Sequence, residues 1–247
     1  MGALNFSPSQ AVANFWEMVF SFKIAYSIHM ERILEPEVMD TIEEAESYDA
    51  MNHCAVNTAF IERLIELDVN GACLDIGCGP GHIPLELVTL VPNVHVTAID
   101  LSHNMLKIAS EHQRVCKEGF RVDFVYADAK TLQFDSDSFD SVYSNSILHH
   151  IPNPDQFLSE AWRVLKPNGA LLIRDLFRPE TEQEARKLVE EYAGAEEQRA
   201  QDLFFASLCA ALRPEELVEI VEKIGITDYE VVIDTDRHMS LQISAQK

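Results

Sequence analysis

The sequence predicts an α/β fold built on a mostly parallel sheet, and three features point to it. From residue 71 onward, short apolar runs alternate with longer stretches of helical periodicity, the pattern of successive βαβ units with right-handed crossovers. The first run, Ala72-Cys73-Leu74, passes directly into a turn with glycines at 77, 79 and 81 that opens a helix, LDIGCGPGH from Leu74 to His82. The second run, Val94 to Asp100, closes on an acid 23 positions after Gly77.

Taken in order, residues 1–70 read mainly as helix and form a cap ahead of the sheet. Val12, Phe15, Val19, Phe22 and Tyr26 recur at helical spacing, and Trp16, Phe20 and Ile24 widen the stripe beyond one face. Such a helix needs cover on more than one side, either from the rest of the chain or from a second copy in a homodimer formed through these helices. Glu17 and Lys23 interrupt the stripe and argue against a membrane span. The acidic piece from Glu35 to Ser47 reads as a break followed by a short polar helix or loop, and a helix over about 52–67 leads to the first strand.

Within the core, 71–177, a helix is expected over His82 to Leu90, with Pro84 tolerable in its first turn. Ser102 is placed to cap the next helix, which carries Met105, Leu106 and Ile108. Strand three spans Val122 to Ala127, and strand four Phe139 to Ser144 after the Asp135–Ser138 turn. Asn153-Pro154 reads as a cap followed by a first-turn proline, opening a helix to Leu165. Pro167-Asn168-Gly169 turns the chain into strand five, Ala170 to Leu176. Residues 178–212 form a helical insertion over the strand ends: Thr181 and Glu184 make a capping box, and periodicity runs through Leu188, Val189 and Tyr192, then from Ala200 to Leu212. Residues 213–247 hold a closing helix, Pro214 to Ile224, and two strands, Tyr229 to Ile233 and Met239 to Ser244.

Composition bounds the partners. With 41 acids against 19 bases the formal net charge is −22, and no run of Lys and Arg offers a basic footprint, so nucleic acid is not expected as a partner. The five cysteines are scattered and include no C-x-x-C pair, which argues against a disulfide framework and a cysteine zinc site; no metal is expected. The first residues lack a secretory signal pattern, and Phe6 argues against myristoylation of Gly2, so a cytoplasmic protein is expected.

The turn constrains the ligand. Glycines accept positive φ and let a ligand approach the backbone, as nucleotide-like ligands do at the carboxyl end of a strand. Asp75, two residues before the first glycine, would repel a pyrophosphate across a low-dielectric gap but would favour a ligand bearing an ammonium group. S-adenosylmethionine has that ammonium, a sulfonium and no phosphate. Asp100 is spaced to accept both hydroxyls of an adenosine ribose. An NAD-dependent oxidoreductase is the competing reading, disfavoured by Asp75.

At this point the chain resembles the class I S-adenosylmethionine-dependent methyltransferases. LDIGCGPG, AIDLSHNML, FVYADAKTLQF, FDSVYSNSILHHI and RVLKPNGALLIRDL occur in that family's order over roughly residues 72–177. The resemblance implies a Rossmann-like, seven-stranded, mostly parallel sheet with helices on both faces and an antiparallel last strand. It implies that Asp75, Gly77, Gly79, Gly81, Asp100, Leu101, Met105, Asp128, Ala129 and Asn145 hold S-adenosylmethionine and its product S-adenosylhomocysteine, with Asp128 and its backbone at the adenine. It places His149, ahead of His150, between cofactor and acceptor as a base candidate, an imidazole titrating in the useful range. Asp175 and Arg178 at the end of strand five and Tyr192 of the insertion are expected to contact a small-molecule acceptor; Arg237 and His238 join them if the closing hairpin reaches the site. Methyl transfer by direct displacement depends mainly on alignment, for which proximity can supply roughly 7 to 11 kcal/mol, against about 10²- to 10⁴-fold from a general base. A catalytically silent cofactor-binding partner with the same fold is the alternative from a different class.

Overall fold

The computed structural model describes residues 30–35, 41–51 and 54–245. The apolar stripe from Val12 to Tyr26, and with it any homodimer contact through these helices, lies outside these residues.

Seven strands form one sheet in the order β3-β2-β1-β4-β5-β7-β6. They are β1 (Gly71–Ile76), β2 (Val94–Asp100), β3 (Val122–Tyr126), β4 (Phe139–Asn145), β5 (Leu165–Leu176), β6 (Glu230–Ile233) and β7 (His238–Ile243). Only β7 runs against the rest, pairing antiparallel with both β5 and β6. The order reverses between β1 and β4, which pair directly, so the crevice beyond their carboxyl ends is where such a sheet binds ligands.

Strand alternation sends Cys73 and Tyr143 into one core and Leu74, Ile76 and Val142 into the other. The first core is closed by α2 (Cys54–Glu66) and α3 (His82–Leu90), the second by α5 (Pro154–Val164) and α8 (Pro214–Ile224). The remaining described helices are α1 (Ile42–Asp49), α4 (His103–Val115), α6 (Glu182–Ala193) and α7 (Gln198–Ala210). Among the described residues no helix is long and apolar enough to cross a membrane.

Local chemistry sets the boundaries. Ser102 Oγ accepts the Met105 N–H at 3.2 Å and starts α4, and Thr181 with Glu184 closes the capping box that starts α6. A second capping box, Thr41 with Glu44, starts α1, so the described part of the acidic piece from Ile42 on is helix. Asn153 makes no side-chain capping bond; Pro154 in the first turn is what opens α5. The expected Pro167–Gly169 turn is a bulge inside a longer β5: Leu165 pairs with Phe139, Ala170 pairs with Ser141, and Asn168 takes a positive φ of 65° between them.

The insertion folds as α6 and α7 packed on each other and on Leu176, with Ala185, Val189, Ala193 and Leu208 between them. Residues 30–35 cross this pair as a strap. The Met30 N–H donates to the Glu180 carbonyl at 2.9 Å and the Ile33 N–H to the Cys209 carbonyl at 3.1 Å. Arg32 fastens it further, its Nε donating to the Ala210 carbonyl at 2.6 Å. Held by Glu180 ahead of α6 and by α7, the strap carries Glu35 to His149 and His150 in the turn after β4.

Candidate cofactor and acceptor site

A cleft opens at the carboxyl ends of β1, β2 and β4. Its wall includes Gly77, Gly79, Asp100, Leu101, Met105, Asp128, Ala129 and Asn145, joined by Tyr48 from α1 and by Ile147, His150 and Ile151. Eight of the ten residues expected to hold the cofactor therefore share one surface.

The glycine turn is built by hydrogen bonds that leave its outer side open. Gly77 and Cys78 both donate to the Ile99 carbonyl, at 2.8 and 2.9 Å. Gly79 has a φ of 51°, and a Cβ there would meet nothing nearer than a Tyr48 ring carbon at 3.9 Å, so the space above it is the cleft. Gly81 serves a different purpose and is not on the wall: a Cβ would strike the Phe124 ring at 2.7 Å and Ala109 at 3.0 Å, where α3 packs closely on β3 and α4.

Asp100 clasps this turn. Its Oδ2 accepts the Gly79 N–H and its Oδ1 the Ser102 N–H, both at 2.8 Å. A carboxylate has about four lone-pair directions, so two amide donors leave it capacity for ligand hydroxyls. Asp128 accepts from the Lys130 backbone at 2.8 Å and lies 3.0 Å from its ammonium; burial opposes its charge, but these contacts with Lys130 hold its pKa below the usual range.

Asp75 is not on the wall. It lies behind the turn, 2% exposed, and burial, reinforced by the Asp100 carboxylate, pushes its pKa well above the usual carboxylate range. Its Oδ2 and the Asn145 Oδ1 are buried without hydrogen-bond partners. Two orphaned acceptors beside a glycine turn fit a ligand that brings a cationic donor, and the residues present thus suit S-adenosylmethionine better than a pyrophosphate.

The two histidines after β4 occupy different environments. His149 is 5% exposed and not on the cleft wall. Its Nδ1 lies 2.5 Å from Asp175 Oδ1, while its N–H donates to Asp175 Oδ2 at 2.8 Å. Burial opposes charge on the ring, but the Asp175 carboxylate and then Glu35 outweigh it and raise the His149 pKa; burial likewise opposes the Asp175 charge, but His149 and the backbone donors hold that pKa low. His150 is the histidine that lines the cleft, with its Nδ1 3.3 Å from Glu35 Oε1. Glu35 reaches both rings, lying 3.5 Å from His149 Nε2; burial raises its pKa, partly offset by His149 and by a hydrogen bond with Ser207.

The residues expected at the acceptor, Asp175, Arg178 and Tyr192, do not line this cleft. Arg178 is 3% exposed and committed elsewhere, donating to the Ala211 carbonyl at 2.7 Å and to Glu216 Oε1 at 2.5 Å. Tyr192 donates from its hydroxyl to Asp236 at 2.8 Å, and the Arg237 guanidinium stacks on its ring at 3.4 Å, well away from the wall. His238 is buried beside Arg174 and Arg237, its pKa lowered to about 4 by desolvation first and by those charges next. Asp175 holds His149 and does not line the cleft. Sequence reasoning missed Glu35 and Tyr48. The Thr41–Glu44 capping box could have announced the helix carrying Tyr48, whereas nothing local marks Glu35.

Comparisons with known proteins bear on the fold and the family. The model of a family described as methyltransferase domain matches residues 74–173. Phosphoethanolamine N-methyltransferase 2 of Caenorhabditis elegans is 38% identical over 117 residues, covering 47% of this chain and 26% of that protein. The O-methyltransferase rstn1 of Aspergillus nomiae is 34% identical over 152 residues, covering 61% of this chain and 63% of that one. The structure of Haemonchus contortus phosphoethanolamine N-methyltransferase 2 in complex with S-adenosyl-L-methionine superposes with a TM-score of 0.62 at 26% identity, covering 79% of this chain and 44% of the other. In each case the alignment spans less than two thirds of the relative's length. By fold, turn and sequence likeness, residues 74–173 match a methyltransferase domain, and the chain is similar to S-adenosylmethionine-dependent methyltransferases.

Proposed function

We propose that the protein is an enzyme that transfers a methyl group from S-adenosylmethionine to a small-molecule acceptor by direct displacement. The observation that carries this reading is the Asp100 clasp on Gly79 and Ser102 within a cleft at the sheet's switch point, backed by the unpartnered oxygens of Asp75 and Asn145. Bound there, the cofactor would supply a methyl already activated by its sulfonium.

The chain's own task is alignment. Asp100 and the Gly79 backbone would fix the ribose, Asp128 and Ala129 the adenine, and Asp75 with Asn145 the amino acid end. The acceptor would then lie against Ile147, His150 and Ile151, because these leave β4 on the side of the cleft away from β2 and β3. His150, with the Glu35 carboxylate beside its Nδ1, would take a proton from an acceptor that needs to lose one. His149 acts as a positioning residue, fixed by Asp175 and holding the turn that carries His150.

A neutral or cationic acceptor suits this wall better than an anionic one, since Glu35 faces the turn and Arg178 is paired with Glu216. The net charge of −22 supports a small molecule over a nucleic acid. The test is labelled-methyl transfer with a panel that includes phosphoethanolamine, sterols and phenols, beside calorimetry with S-adenosylmethionine and NAD. Tight S-adenosylmethionine binding with transfer to one class supports the reading. Binding without transfer to any acceptor, or preference for NAD, would overturn it.

A further inference from the structure

Three side chains behind the glycine turn converge on one point. Asp49 is the last residue of α1, His82 the first of α3, and His112 lies in the last turn of α4. Asp49 Oδ1 is 2.8 Å from His82 Nε2, Asp49 Oδ2 is 3.4 Å from His112 Nε2, and the three potential ligand atoms lie within 4.8 Å of one another. The imidazoles stack with their centroids 4.8 Å apart and their planes 28° from parallel.

Proton placement makes this trio unusual. His112 Nδ1 is 2.9 Å from the Pro80 carbonyl, which can only accept, so Nδ1 carries the proton. In the neutral ring Nε2 then presents a lone pair to the lone pairs of Asp49 Oδ2. Asp49 Oδ1 is also buried without a hydrogen bond, although His82 Nε2 is close, so that contact is not aimed as a hydrogen bond. A single cation shared by all three ligands would accept the His112 Nε2 lone pair and partner the unbonded Asp49 oxygen.

The dimensions suit such an ion. Ligand atoms about 2.0 to 2.2 Å from a tetrahedral zinc ion lie roughly 3.3 to 3.6 Å from one another, a spacing that small side-chain movements reach from atoms all within 4.8 Å of one another. The Pro80 carbonyl on His112 Nδ1 is the kind of outer partner that orients a metal-bound histidine and fixes its tautomer. The His82 and His112 side chains remain 38% and 32% exposed, which leaves a path for the ion and room for water in a fourth position.

We propose that Asp49, His82 and His112 form a divalent transition-metal site, of the kind zinc occupies, that pins α1 against the glycine turn. The ligands come from three helices that meet only in the folded chain, so the scattered cysteines, from which no metal was expected, say nothing about it. Pinning α1 fixes Tyr48, the residue just before Asp49, over Gly79 at the cleft mouth.

The test is titration of the full chain with cobalt(II), followed by its visible absorption, and with zinc by calorimetry. Expected is one equivalent bound with a histidine-type cobalt spectrum, affinity reduced at least about 100-fold in His82→Ala and His112→Ala, and little change in His150→Ala. Should an alanine variant fail to fold, Asp49→Asn gives the same reading with the shape kept. Zinc should also slow amide hydrogen exchange over 42–49 in the native chain and not in Asp49→Asn. Absence of stoichiometric binding, binding that survives these substitutions, or exchange over 42–49 indifferent to zinc would each overturn the proposal. None of these readouts depends on methyl transfer.

Discussion

Asp100 holds the glycine turn with one carboxylate on the cleft wall, its two oxygens accepting the amides of Gly79 and Ser102, and in the proposed complex it would also receive ligand hydroxyls. Replacing it by Ala removes the charged acceptor and loosens the turn that shapes the site. Asp100→Ala is therefore expected to weaken S-adenosylmethionine binding by about 2 kcal/mol, roughly 30-fold in Kd, which calorimetry would read directly. The two histidines divide in the same way. His150→Ala should lower kcat with little change in cofactor Kd, for an acceptor that must lose a proton. His149→Gln should instead change stability against pH, since its pair with Asp175 is a buried ion pair. The raised His149 pKa means that its stabilisation is lost as pH rises through the folded value; the depressed Asp175 pKa means that its share is lost as pH falls through its own. A thermal-denaturation series across neutral pH should show the alkaline loss in the native chain and a flattened profile in His149→Gln.

At the scale of elements, the core was legible because each boundary has a local chemical cause. His82–Leu90 follows from the glycine turn, the α4 start from Ser102, the α6 start from Thr181 and Glu184, and Pro214–Ile224 from its first-turn proline. That eight of the expected residues share one cleft wall was legible for the same reason, since the wall lies at the ends of β1, β2, β3 and β4. The acceptor side was not. Arg178 carries no local mark telling a ligand-binding guanidinium from one paired 38 residues away with Glu216, and Glu35 meets His149 and His150 only because the strap is anchored ahead of α6 and on α7. The Arg178–Glu216 pair is itself testable as a tie between the end of β5 and the start of α8. Glu216→Ala leaves a buried guanidinium without its carboxylate and should cost about 2 to 3 kcal/mol, less than a fully buried pair because Glu216 is partly exposed. In a chain of this length that corresponds to a melting temperature lower by about 5 to 10 °C.

For the whole molecule, the acidic surface and the buried Asp75 set how binding responds to pH. A chain with 41 acids and 19 bases repels further negative charge, and Asp75, out of water and near Asp100, is held toward its neutral form in the ligand-free protein. Its folded pKa is raised, so it favours folding below the usual carboxylate range and that contribution is lost as pH rises through the folded value. A cofactor ammonium at this carboxyl reverses the balance by favouring the charged form. Binding between the ordinary carboxylate range and the raised value must then release a proton, and affinity should increase with pH across that window. Calorimetry at a series of pH values upward from the ordinary carboxylate range, each in two buffers of different ionisation enthalpy, should show within that series an enthalpy difference equivalent to part of a proton released. Asp75→Asn should remove the difference and weaken binding, because an amide cannot supply the negative charge. A binding enthalpy independent of buffer in the native chain would show that Asp75 does not receive the cationic end of the ligand, even where the Asp100 clasp holds the ribose.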